Sequence, residues 1–152
     1  MEAFRFPLAL KSTAKEKAMK KILIVEDSVE CQETYMKGLV MPAEVEALYV
    51  ALYGGVSFLQ AFDRDQALRL FVEHQADIAI VVMDACVPGN SPNTLNLVKR
   101  MRGEEKFLGP MIAASSSSDY REKLVVAGCD YSVPKLLVPM VVLGIIDKGL
   151  AG

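Results

Sequence analysis

An uninterrupted apolar run, Ile78-Ala79-Ile80-Val81-Val82-Met83, ends on a carboxylate, Asp84, and the chain then breaks at Pro88-Gly89. The run carries no charge and no turn former. It is too short and too β-branched for a good helix, so it reads as a strand buried on both faces. Three other apolar runs end on a reactive group. Lys21–Val25 stops at Glu26-Asp27, Met111–Ala114 stops at Ser115, and Ser132-Val133-Pro134 stops at Lys135. Helix-like segments separate the runs, which gives a βαβ topology with parallel strands. Parallel strands bring their carboxyl ends to one edge of the sheet, where ligands of open α/β sheets bind. Carboxylates, a hydroxyl and an ammonium therefore converge on one spot.

Composition narrows the classes. A chain of 152 residues suffices for one domain with a real core. The net charge of −2 and the lack of a basic cluster give no reason to expect nucleic-acid binding. Cys31, Cys86 and Cys129 follow no zinc-ligand spacing and fit small core residues in a reducing cytoplasm. Phe4–Leu10 is too short for a secretory signal and contains Pro7. The apolar stretch Val138–Ile146 is roughly half of a membrane span. A soluble cytoplasmic protein without membrane contact is expected.

Along the chain, residues 1–19 form an unassigned arm in which Phe4, Phe6, Leu8 and Leu10 alternate, and the domain covers 20–152. Ser28 is placed to cap a first helix with Val29, Met36 and Leu39 inward. Ala43–Tyr53 carries Val45, Leu48, Tyr49 and Leu52 at amphipathic spacing and reads as an additional helix before a strand over Val56–Phe62. Asp63 or Asp65 caps a helix with Leu68, Phe71 and Val72 inward and His74 near its favourable C-terminal end. Ser91 with Pro92 at the first helical position opens the next helix, with Leu95, Val98 and Met101 inward. Asp119 and Glu122 have capping-box spacing for a helix that stops at Ala127-Gly128. A short strand, Tyr131–Pro134, precedes a last helix started by Pro139. That helix is apolar almost all round, which calls for burial on more than one side.

Clustered carboxylates repel and need a cation to stay ionised side by side. Hard oxygen ligands without a His or Cys cluster suit Mg²⁺ or Mn²⁺. A carboxylate can also act as a nucleophile and form an acyl phosphate, with positive charge gathered around the transferred group. Glu26 and Asp27 would hold the cation, Lys135 would add charge, and the Ser115 hydroxyl could donate to a phosphoryl oxygen.

The chain resembles the receiver domains of two-component response regulators. The resemblance is carried by Lys21–Ser28, Asp84 with Pro88-Gly89, Pro110–Ser115, and Ala127–Asp130 through Lys135, and it spans roughly 20–148. It implies a flavodoxin-like (βα)5 doubly wound sandwich, an α/β fold with a parallel five-stranded sheet of order 2-1-3-4-5, here with the additional helix between helix 1 and strand 2. It implies that Asp84 is the phosphorylated aspartate. Glu26, Asp27, Asp84 and the backbone carbonyl of Cys86 would be the metal ligands. Ser115 would be the switch hydroxyl and Lys135 the family's lysine. Cys86 and Ser117 would line the route of attacking water.

Three positions depart from the family pattern. Ser132 stands where the family has an aromatic residue, so either Tyr131 substitutes through a local shift or that half of the switch is missing. Leu136 follows Lys135 in place of a cis proline. A non-proline cis bond costs about 3 kcal/mol, so a trans bond is expected there. Val87 replaces the Met before the loop proline.

The function implied is a stand-alone receiver rather than an enzyme, since little chain follows Lys148. It would accept a phosphoryl group on Asp84 from a sensor histidine kinase, a phosphotransfer protein or a small phosphodonor. Self-phosphorylation and autodephosphorylation would be open to it. It would signal to an output protein through helix 4, strand 5 and helix 5, with a homodimer left open. The alternative is a phosphorylation-independent interaction module on the same fold. A phosphohydrolase would need a second acid two residues after Asp84, where Cys86 stands. Nucleotide hydrolysis lacks its Gly-rich Lys-Ser/Thr loop.

Overall fold

Each apolar run forms a strand, and the runs align in one parallel sheet. The computed structural model describes residues 20–40, 43–44, 46–47, 50 and 55–149. The strands are β1 (Lys20–Val25), β2 (Val56–Ala61), β3 (Ile78–Asp84), β4 (Met111–Ala114) and β5 (Tyr131–Val133). They pair in the order β2-β1-β3-β4-β5, every pair parallel. The helices between and after them are α1 (Val29–Gly38), α2 (Arg64–His74), α3 (Leu95–Arg102), α4 (Ser118–Ala127) and α5 (Val138–Asp147). The arm of residues 1–19 lies outside the described residues, and so does much of the helix expected over Ala43–Tyr53. Within it, Ala43, Glu44, Glu46, Ala47 and Val50 are described and are helical.

The period-2 alternation of the strands divides the core in two. Leu23, Val25, Val81, Met83, Met111 and Ala113 face one side, against Ala67 and Phe71 of α2, Val98 and Met101 of α3 and Leu124 of α4. Ile22, Ile24, Ile80, Val82, Ile112 and Ala114 face the other, against Tyr35 of α1 and Val138, Val142 and Ile146 of α5. β3 is buried on both faces, as its composition requires. At Gly38 a Cβ would stand 2.7 Å from the Pro139 ring, so glycine permits the close approach of α1 to α5.

Several helix details differ from the sequence reading. In α1 the buried residues are Gln32 and Tyr35, with Leu39 just beyond, while Val29 faces solvent. Ser28 Oγ accepts from Cys31 N at 3.1 Å and fixes the helix start, and the 3.6-residue period then carries 32, 35 and 39 inward. Asp63 is the cap of α2, and Val72 faces water while Ala67 and Phe71 turn inward. α3 begins at Leu95, after Thr94, rather than at Pro92. α4 is capped by Ser117, whose Oγ accepts from Tyr120 N at 3.2 Å, rather than by Asp119. α5 buries one stripe only, Val138, Val142 and Ile146, and leaves Met140 63% exposed. Val141, Leu143 and Ile145 are partly buried against the same core layer. No described helix is long and apolar enough to cross a membrane.

The amino edge of the sheet is tied by Arg102. Its Nε donates to Gly128 O at 2.9 Å, and its NH1 donates to Phe107 O at 2.9 Å and Gly109 O at 2.8 Å. Its NH2 meets Asp130 Oδ2 at 2.7 Å, an oxygen that also accepts from Met111 N at 2.9 Å. Gly128 (φ 143°) ends α4 in a conformation that favours glycine and presents its carbonyl to Arg102. Asp130 is half exposed, so the ion pair itself contributes little. The cost of removing Arg102 lies in the carbonyls left without donors. Arg102→Met is expected to destabilise the fold by about 2–4 kcal/mol, read from urea unfolding. A loss below about 0.5 kcal/mol would show that water replaces the guanidinium without penalty.

Candidate functional site

The register sets the site. Val25 is level with Met83, Asp84 with Ala114, and Ala114 with Val133. Glu26, Asp84, Ser115 and, after Pro134, Lys135 therefore leave adjacent strands at nearly one height. Glu26 and Asp84 are buried, at 1% and 4% exposure. Lys135 Nζ stands 3.0 Å from Glu26 Oε1 and 3.5 Å from Asp84 Oδ2. The only cis peptide bond among the described residues is Val87–Pro88, so Lys135–Leu136 is trans, as Leu136 led one to expect. Lys135 begins a 3₁₀ turn, Lys135–Leu137, and its side chain points back over the sheet edge.

Burial first, then the charge of Glu26, pushes the Asp84 carboxyl up to about 7, against the pull of Lys135. Burial works against the charge of Lys135, but Asp84 and Glu26 outweigh it and hold its pKa above the ordinary value. Glu26, Asp27 and Asp84 bring carboxylate oxygens within 4.8 Å of one another. Ser28 N donates to Glu26 Oε2 at 3.1 Å, and the buried Glu26 Oε1 has the Lys135 ammonium as its neighbour. Crowded carboxylates of this kind, with hard oxygen donors, fit a hard divalent cation. Cys86 is partly buried, and burial followed by the charge of Asp84 raises its thiol pKa.

Ser115 is buried, and its Oγ accepts from Ser117 N at 3.1 Å. Its proton remains available for donation. The Ser117 hydroxyl, expected beside a water route, is engaged as the cap of α4. The two possibilities for the aromatic residue are resolved by the pleat. Tyr131 shares a face with Val133, on the α1/α5 side, and Ser132 alone faces α4. Tyr131 does not stand in for an aromatic at Ser132.

The structure adds residues that the sequence reading missed. Thr94 Oγ1 is fully buried and donates to Asp84 O at 2.7 Å. Asn93 Oδ1 accepts from Val87 N and its Nδ2 donates to Pro88 O, both at 2.8 Å. Together they keep the chain after Asp84 folded against β3, and so delay α3 to Leu95. A Thr just before an apolar helical run was the available signal. Gln32 Nε2 lies within hydrogen-bond distance of Ile24 O, Glu26 O and Ala61 O at 3.1–3.3 Å, tying the ends of β1 and β2 under Glu26. A lone buried Gln leaves no pattern in the sequence.

No protein-family model matches the chain, and no curated protein does. Solved structures do match. A CheY-like response regulator receiver domain from Methanospirillum hungatei JF-1 is 19% identical with a TM-score of 0.59, over 88% of this chain and 94% of that one. A two-component response regulator of the LuxR family from Aurantimonas sp. SI85-9A1 is 23% identical with a TM-score of 0.59, over 89% and 87%. The BeF3-activated N-terminal receiver domain of Klebsiella pneumoniae RstA is 21% identical with a TM-score of 0.56, over 88% and 100%. The fold is the one these receiver domains share.

The raised Asp84 pKa has a stability consequence. The folded carboxyl holds its proton up to about pH 7, and the unfolded one releases it near the ordinary carboxylate value, about 4. Stability in chelator therefore falls as pH rises between these values. Asp84→Asn is expected to stabilise the fold at pH 7.5 in EDTA by on the order of a few kcal/mol at most, read from urea unfolding, and to leave stability unchanged at pH 4. An equal gain at both pH values would show that the carboxyl is not the strained group.

Proposed function

We propose that this chain is a phosphoacceptor switch of the response-regulator kind. The observation that carries it is the grouping of Asp84 between Glu26 and Lys135 at the strand ends, with Ser115 at the same edge. An Asp84 oxygen attacks the phosphorus of a phosphohistidine, on a kinase or phosphotransfer protein, or of a small phosphodonor. The bond to the leaving group breaks, the leaving group keeps the electron pair, and an acyl phosphate forms on Asp84. The attacking form is the carboxylate, and Lys135 favours that form against burial. Glu26, Asp27, Asp84 and the Cys86 carbonyl would hold Mg²⁺ or Mn²⁺, which supplies positive charge to the transferred group. Lys135 adds charge at Asp84 Oδ2, and the Ser115 hydroxyl donates to a phosphoryl oxygen. The hydrolysis that resets the switch is its only turnover. Output would pass to a partner, or a second copy, at the face of α4, β5 and α5, where Val126, Leu136 and Met140 are exposed. The unpaired state of Cys31, Cys86 and Cys129 agrees with a reducing cytoplasm.

Ser132 in place of an aromatic residue favours one other reading, an interaction module that works without phosphate. Intact mass after incubation with Mg²⁺ and phosphoramidate separates the two. A single phosphoryl adduct is expected on the wild type, none on Asp84→Asn, and none in EDTA. Lys135→Met is expected to slow uptake at least about tenfold. If a folded, Mg²⁺-loaded wild type gains no adduct from either phosphoramidate or a phosphohistidine protein, the interaction module is the better account.

A further inference from the structure

Ser115 is held from two sides, and both holds come from the α4 segment. Its hydroxyl accepts from Ser117 N, and its carbonyl accepts from Arg121 NH1 at 2.6 Å. The same guanidinium donates through Nε to Ser132 Oγ at 2.9 Å. Ser132 is in register with Ala113, two residues before Ser115 on the neighbouring strand. One side chain thus joins α4, the end of β4 and β5. A planar guanidinium can place two donors on two acceptors at once, whereas an ammonium offers a point charge with no fixed fork.

We propose that Arg121 is the positioning residue for Ser115. It fixes the carbonyl of Ser115, and through it the height of the hydroxyl beside Asp84. The proposal rests on the phosphoacceptor reading and extends it to output. When the Ser115 hydroxyl moves to a group on Asp84, its carbonyl carries or releases the guanidinium, and the bond to Ser132 on exposed β5 changes with it. The coupling from the buried edge to the α4–β5 surface then runs through an Arg–Ser pair and needs no aromatic side chain.

The test compares wild type, Arg121→Met, Arg121→Lys, Ser115→Ala and the Arg121→Met/Ser115→Ala double variant, each as the full chain and checked for folding by circular dichroism. The readouts are Mg²⁺ affinity, the rate of adduct formation at saturating phosphoramidate, and the backbone amide NMR spectrum. Arg121→Met is expected to lower the saturated rate on the order of tenfold and to leave Mg²⁺ affinity within about twofold. The loss should vanish in the Ser115→Ala background, since both substitutions remove one function. Arg121→Lys should not restore the rate. Multiplying effects, a parallel fall in Mg²⁺ affinity, or rescue by lysine each overturn the proposal. If the wild type forms no adduct, the phosphoacceptor reading fails by itself and the spectrum decides on Arg121. Shifted and faster-exchanging Ser115–Ser117 amides in Arg121→Met support the hold on the turn, and unchanged amides overturn it.

Discussion

Two acidic side chains buried at the end of a sheet repel each other, and Lys135 is what makes the arrangement tolerable. Its ammonium lies 3.0 Å from Glu26 and 3.5 Å from Asp84. Burial at a sheet end penalises a charged carboxylate, and the ammonium offsets part of that penalty. The requirement reaches back into the topology. Lys135 follows the last strand, Glu26 the first and Asp84 the third, and only an all-parallel sheet in register brings these chain-distant ends to one height.

Around that triad the polar groups form a second layer that acts on the backbone. Gln32 ties the ends of β1 and β2, Thr94 and Asn93 fold the loop after β3, and Arg121 ties the end of β4 to β5. The ends of β1, β3 and β4, which carry Glu26, Asp84 and Ser115, are each held by a side chain from a helix or loop. Precision at the site therefore comes from carbonyls and amides fixed nearby, since a loop free to drift by an ångström would lose the chemistry.

The two edges of the sheet divide the work. The amino edge is closed by Arg102, whose donors meet carbonyls of three different loop positions and the Asp130 carboxylate. That edge has satisfied polar groups and adds stability. The carboxyl edge keeps a raised Asp84 pKa among crowded carboxylates, and so holds unfavourable free energy at the candidate site. The two apolar layers between them are complete enough to support this.

Much of this was legible in the chain itself. Ile78–Met83 could only be a strand covered on both sides, because it has no polar face to offer water. Runs ending in Glu26-Asp27, Asp84, Ser115 and Lys135 marked one edge, because parallel strands end together. Local sequence also determined Ser28 as a cap and Gly128 as a stop, and narrowed the cap of α2 to Asp63 or Asp65. It did not determine where α3 and α4 begin, because Thr94 is held by carbonyls of β3, and Ser117 competes with Asp119 only once β4 has placed the turn. Nor could it decide whether Tyr131 replaces the missing aromatic, which is a matter of strand register against Ala113 and Ala114. Gln32, Thr94 and Arg121 gain their roles from acceptors 6–29 residues away in the chain. Side-chain periodicity reports which face is buried. Only the tertiary structure decides which backbone carbonyl a buried donor will find there.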